Sequence, residues 1–368
     1  MAASPNPIVN AIQNSVLTFC DALLLPLKKA FFKPSSVDLT YGRVSLPFSP
    51  TEQTLRQEPY IYTDYSIPFP FKGEFDRFIY YQTWSLSTVK QRDTDFVWLH
   101  GLNDYGGRFS QHCLQILEQG FRVISIDLPS FGRSSGLHAC IKDWEELTEA
   151  VRVVITHVKE QNANNTAFNK EKKRRVILGG GSMGGFIAIS YAIKYPTDID
   201  AFSVLCPLIY VAGASRPSKI IEYIAKVIVA SPLGTLPLTP ASRDKGHWDP
   251  AIEQAFLSDP QTYHGNMRAC TGIMFLNGIT WLQQKLGLVK KPFLTQHGLS
   301  DRVCEDRSSR DLFAQAQTPD EHKTMILYEN CEHDMLHEHC SQKVMQDLIE
   351  WMIKIDKVLE NGLLDQYD

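Results

Sequence analysis

Little in this chain's composition is extreme, and several absences narrow its function. With 37 basic and 41 acidic residues the net charge is −4, so there is no electrostatic case for a nucleic-acid partner. The eight cysteines, at 20, 113, 140, 206, 270, 304, 331 and 340, form no C-x-x-C pair and no metal-ligand spacing. Scattered in this way they read as reduced thiols of an intracellular protein, and neither a metal nor a cofactor is expected. There is no internal repeat. The N-terminal stretch lacks a basic leading region and a clean small-residue cleavage site, so it does not read as a secretory signal. The sequon Asn164-Asn165-Thr166 then carries no weight. The same stretch is short and contains Asp21, which excludes a spanning helix.

What the stretch does contain is amphipathic. Asn6 and Pro7 suit a helix N-cap and first helical position. Ile8, Ile12, Val16, Phe19, Cys20, Leu23 and Leu24 follow at helical spacing, and Lys28, Lys29 and Lys33 come after Pro26. Two readings stay open, a helix packed on the body of the protein or an anchor lying on a membrane surface.

A chain of 368 residues has room for one large α/β domain with an insertion. Residues 1–74 read as an extension, irregular and proline-rich after the first helix. From Phe75 short apolar strands alternate with helical patterns: Phe75–Trp84, Asp95–Gly101, Gly120–Asp127, Val176–Leu178, Ala201–Cys206, Pro292–His297 and Lys323–Tyr328. Ser110–Gln119 and Asp143–Lys159 read as helices between them. This alternation predicts a mostly parallel, doubly wound sheet, built from residues 75–206 and 292–368. Between them, residues 207–291 lose the alternation. Lys219–Ala230 is apolar on most faces through Ile220, Ile221, Ile224, Val227 and Ile228, and Asp259–Gly287 looks like further helix. An all-helical insertion between two sheet strands reads as a lid. The basic run from Lys170 to Arg175 ends a polar loop and reads as solvated.

The most informative stretch is Gly180-Gly181-Ser182-Met183-Gly184. It follows a β-branched run and opens a small-residue helix, the context that a G-x-S-x-G nucleophile elbow requires. Three further signals fall at strand ends, where catalytic loops of such sheets sit. After the second strand comes His100-Gly101-Leu102, whose Leu102 amide can face that of Met183 as a pair of oxyanion donors. His100 itself reads as a structural histidine. After Pro292–His297 comes Gly298-Leu299-Ser300-Asp301, with Asp306 and Asp311 as competitors for the carboxylate role. After Lys323–Tyr328 come His333, His337 and His339. His333 lies in the loop, while the other two read as part of the next helix. The chain order Ser182, Asp301, His333 is that of an α/β-hydrolase triad. Cys304 and Cys331 lie close to Asp301 and His333 in sequence. Asp143, in an H-x4-D spacing with His138, reads as a helix N-cap with Glu146 as its capping-box partner.

These motifs, with Tyr105-Gly106-Gly107-Arg108-Phe109, Asp127-Leu128-Pro129 and Phe131-Gly132-Arg133-Ser134-Ser135-Gly136, resemble the monoacylglycerol lipase-like (serine aminopeptidase S33-type) α/β-hydrolases over roughly residues 75–355. The resemblance implies Ser182 as nucleophile, Asp301 and His333 as its partners, and Leu102 and Met183 as oxyanion donors. It also implies a substrate with a long acyl chain, a monoacylglycerol or related lysolipid, held under an apolar lid that touches membrane. A thioesterase, a carboxylesterase of smaller esters and a non-catalytic lipid-binding protein are the alternatives. The expected location is cytoplasmic, at a membrane or lipid-droplet surface, with a homodimer left open. The longer front end, the longer loop 161–175 and a one-residue shift after His333 depart from the family pattern and leave the leaving group undefined.

Overall fold

The computed structural model describes residues 38–164, 174–213, 228–229, 232–238 and 249–362. Its centre is an eight-stranded sheet, β1 (Tyr60–Pro68), β2 (Phe78–Leu86), β3 (Thr94–Leu99), β4 (Arg122–Ile126), β5 (Arg175–Gly181), β6 (Ala201–Leu205), β7 (Phe293–Gly298) and β8 (Lys323–Tyr328). The strand order is β1-β2-β4-β3-β5-β6-β7-β8. The first two strands are antiparallel to their neighbours and the rest run parallel. This is the α/β-hydrolase architecture expected from the alternation.

Parallel strands covered on both faces are apolar throughout rather than alternating, and β3, β6 and β7 are buried at every position. Successive side chains still point to opposite faces. Val97 and Leu99 join one core with helices Trp144–Asn164, Met183–Lys194 and Ala269–Gln283. Phe96 and Trp98 join the other with helices Ser110–Glu118 and Ser341–Glu360.

Four local expectations are corrected. Residues 60–68 are not irregular but form the edge strand β1, in register from Tyr60 opposite Leu86 to Pro68 opposite Phe78. Most of the strand is exposed, so it gives no apolar run, and its proline sits at the end of an edge strand, where no ladder bond is lost. Upstream of it, Arg43 is 4% exposed and donates to the carbonyls of Gly132, Ser134 and Gly136. The sheet and its packing therefore begin well before residue 75. Arg174 and Arg175, expected in solvent, pair with Asp95 and Asp356. Burial alone would raise the Asp95 carboxyl, but Arg122 and Arg174 outweigh it and hold it below the usual carboxylate range. Asp143 does cap its helix, accepting from the Glu145 amide at 2.9 Å, but Glu146 turns away to pair with Arg77 and closes no capping box. Asp259–Gly287 is helical only over Ala269–Gln283, with a short turn at Leu286–Leu288.

Between β6 and β7 the described residues contain helices and turns and no strand, including Pro250–Ser258 and Ala269–Gln283. Ile220, Ile221, Ile224 and Val227 lie outside the described residues, as does the N-terminal amphipathic segment, whereas Ile228 is half-buried.

Candidate active site

Ser182 lies between the end of β5 and the helix Met183–Lys194, with φ 53° and ψ −112°. A non-glycine residue at positive φ is strained by about 1–3 kcal/mol, and tight packing holds it there. A Cβ on Gly180 would strike the backbone of Gly184, and one on Gly184 would strike the Leu99 carbonyl. The first helical turn is thus pressed against the ends of β3 and β5. The Ser182 amide donates to Leu205 at 2.9 Å, and its carbonyl accepts from Phe186 and Leu208.

The loop after β3 meets this turn. A Cβ on Gly101 would sit 3.8 Å from both the Gly181 carbonyl and the Ser182 Cβ. Among the described residues neither the Leu102 nor the Met183 amide donates a hydrogen bond, and the latter opens a helix, where amides and dipole favour negative charge. His100 holds the loop. Its Nε2 accepts from the Leu128 amide at 3.0 Å, so Nδ1 carries the proton and donates to the Gly101 carbonyl at 2.7 Å. Burial lowers this imidazole to about 4, which keeps it neutral and structural. Asp127 ties the neighbouring loops together, accepting from the amides of Gly106 and Arg133.

At the far side of Ser182 the ends of β7 and β8 converge. A Cβ on Gly298 would collide with the carbonyls of Cys331 and Glu332, so only glycine lets the loop after β8 lie this close. His333 Nδ1 is 2.7 Å from Asp301 Oδ2. Asp301 is saturated: Oδ1 accepts from the amides of Val303 and Cys304, and Oδ2 also faces His297 Nε2 at 3.3 Å. Burial would raise this carboxyl, but the two imidazoles outweigh it and hold it far below its ordinary range. For His333, burial alone would depress the imidazole; the Asp301 charge reverses this and raises it above 6.5. With Nδ1–H donated to Asp301, a neutral His333 offers Nε2 as a proton acceptor.

The Cys304 thiol connects Ser182 to this pair. It contacts the Ser182 side chain and lies within 4.8 Å of the polar atoms of Asp301 and His333. It is fully buried, and burial with the Asp301 charge pushes it well above the ordinary thiol range. Ser182, Asp301 and His333 thus share one neighbourhood. His297 was not singled out in the sequence, since inside a buried strand it carries no signal until its partners Asp301 and Ser309 are known.

The competing candidates are engaged elsewhere. Asp306 pairs with Arg310 and Asp311 with Arg307, both half-exposed. His337 pairs with Asp334 at 2.7 Å and faces Gln111 and His112. His337 and His339 precede the last helix, which starts at Ser341, so their helical placement is corrected. The insertion is anchored beside the loop carrying Leu102. Tyr105 donates to Asp259 at 2.9 Å, and the Tyr263 amide donates to the Asn103 carbonyl at 2.8 Å.

The family model for serine aminopeptidase S33 (Hydrolase_4) matches residues 90–340. Monoglyceride lipase of Rattus norvegicus is 26% identical over 260 residues, 69% of this chain and 80% of that protein. Caffeoylshikimate esterase of Arabidopsis thaliana is also 26% identical over 260 residues, 69% of this chain and 75% of that protein. The crystal structure of Paleococcus ferrophilus monoacylglycerol lipase superposes with a TM-score of 0.63 over 75% of this chain and 99% of that one. At 18% identity that likeness speaks for the fold alone. The chain belongs to the serine aminopeptidase S33 family of α/β-hydrolases.

Proposed function

We propose that this protein is a serine hydrolase that cleaves acyl esters of a monoacylglycerol or a related lysolipid through an acyl-enzyme. The observation that carries the reading is the 2.7 Å contact of His333 with Asp301, beside a serine held in a strained turn. In this reading Ser182 Oγ attacks the acyl carbonyl while His333 Nε2 takes its proton. Asp301 fixes the imidazole tautomer and stabilises the imidazolium that forms. The tetrahedral oxyanion accepts from the Leu102 and Met183 amides, each such donor being typically worth about 3 kcal/mol. His333 then protonates the departing alcohol, and water repeats the sequence to release the acid.

The substrate class is supported by the monoglyceride lipase relatives. A second reading, an esterase of smaller polar esters, is favoured by the equal identity to caffeoylshikimate esterase. A panel of monoacylglycerols, diacylglycerols, lysophospholipids, acyl-CoAs and short-chain aryl esters separates the two. The expected ranking of kcat/KM places monoacylglycerols or lysophospholipids first, with Ser182→Ala inactive on all. A preference for short polar esters or for acyl-CoA overturns the lipid reading.

The raised His333 imidazole sets a pH dependence. Protonated His333 cannot accept the serine proton, so kcat/KM should rise with pH through a value above 6.5, the value for the free enzyme. Asp301→Asn removes the charge that holds the imidazole up. It should move this limb to lower pH and reduce kcat by about 10⁴-fold. A pH–rate profile whose acid limb is unmoved in Asp301→Asn contradicts the assignment.

No helix among the described residues is long and apolar enough to cross a membrane. We place residues 207–291 as the lid over the site and residues 1–33 as a second apolar stripe. Two weak surface contacts add through effective concentration, so peripheral docking on a membrane or lipid droplet is the expected arrangement. Flotation with anionic vesicles should carry the full-length chain upward and lose it when residues 1–33 are removed or Ile224 and Ile228 become serine. Full-length protein left in the soluble fraction assigns both stripes to protein contacts.

A further inference from the structure

Behind the His333 loop lies a cluster that the ester hydrolysis does not use. Cys331, Glu338 and Cys340 are 1%, 4% and 9% exposed, and one ligand-type atom from each lies within 4.8 Å of the others. His339 Nε2 is 4.0 Å from the Cys331 sulfur. Glu338 Oε2 accepts from the Glu332 amide at 2.8 Å, while Oε1 is sealed from solvent and has no partner. An unpaired buried carboxylate oxygen costs far more than a paired one. The neighbours that would relieve it here are two thiols, which are weak donors.

We propose that Cys331, Glu338, His339 and Cys340 form a structural zinc site. Two thiolates, an imidazole and a carboxylate match the donor preferences of zinc and not those of magnesium or calcium. Around a tetrahedral zinc, ligand atoms bound at about 2.0–2.3 Å stand about 3.3–3.8 Å apart. Cys331, Glu338 and Cys340 therefore need to contract by no more than about 1–1.5 Å, in a segment that precedes the last helix, and His339 turns in from beside the Cys331 sulfur. Zinc binding forms two Zn–S bonds and releases the two thiol protons to water, with no change in oxidation state. The carboxylate bonds through the oxygen that has no partner, and exposed His339 marks the route of entry. All four positions are taken by protein, so the ion has no place for substrate. Its effect is to clip Cys331 to Cys340, the two ends of the loop that carries His333.

Sequence spacing conceals this site, because eight residues separate the cysteines and the acid and histidine come immediately before the second one. Burial pushes both thiols upward, so both hold the protons that zinc must displace.

The test uses the full-length protein, reduced with a phosphine, stripped of metal and titrated with zinc against a chromogenic chelator. One equivalent should bind, with affinity falling about 100-fold per pH unit where both thiols must deprotonate. Cobalt in place of zinc should give thiolate-to-metal charge-transfer bands and the visible bands of a tetrahedral ion. Cys340→Ser should weaken zinc by more than the roughly 10–100-fold that loss of a supporting partner costs, while Cys113→Ser should not. Glu338→Gln keeps an acceptor for the Glu332 amide, so it retains the fold and should also weaken binding. It decides the matter if Cys340→Ser fails to fold. Zinc uptake that is absent, or equal in wild type and Glu338→Gln, overturns the site. So does a cobalt spectrum without thiolate bands, or a Cys331–Cys340 disulfide whose reduction restores no zinc binding.

Discussion

Ser182 can hold φ 53° and ψ −112° only because nothing projects from residues 180 and 184 on either side of it. The helix Met183–Lys194 then starts against the end of β3, where a side chain on Gly184 would overlap the Leu99 carbonyl. This close approach fixes the serine at the carboxyl edge of the sheet, on the same edge as the loops that follow β3, β7 and β8. It also fixes where the helix begins, and hence where the Met183 amide points. A larger residue at either glycine would push the helix off the strands and separate the amide from the serine.

A second close approach, at Gly298, does the same for the other half of the site. It lets the loop after β8 rest on the end of β7, so that His333 meets Asp301 across 32 residues of chain. The carboxylate is over-determined, with two amides on one oxygen and two imidazoles facing the other. Four donors leave it little freedom to turn and hold the acid strongly ionised. The paired shifts, acid down and imidazole up, express one interaction and not two independent perturbations. His100 meets the opposite fate, since burial outweighs the nearby Asp104 charge and lowers it to about 4. The two histidines are thus shifted in opposite directions, burial prevailing at His100 and the Asp301 charge at His333.

Where a constraint acts between neighbours in sequence, it was legible. The elbow glycines, the strands β3 to β8 and the loops at their ends all follow from local pattern, which is why Ser182, Asp301 and His333 stand out as candidates before any coordinates. Partnerships made by the fold were not. Arg174 looks solvated until Asp95, 79 residues away, is placed beside it. Glu146 suits a capping box until Arg77 competes for it. The edge strand Tyr60–Pro68 buries too little to produce an apolar run. His297 reads as one more strand residue, and Cys331 and Cys340 as unrelated thiols, because their neighbours come from elsewhere in the chain.

In the proposed reaction the residue held by the glycine elbow is the nucleophile. Digestion and mass spectrometry after treatment with an alkyl fluorophosphonate test it most directly, because the reagent records which oxygen attacks. A single adduct is expected on the peptide carrying Ser182, with none formed by Ser182→Ala or by acid-unfolded protein. An adduct on any other residue, or equal labelling of wild type and Ser182→Ala, would contradict it.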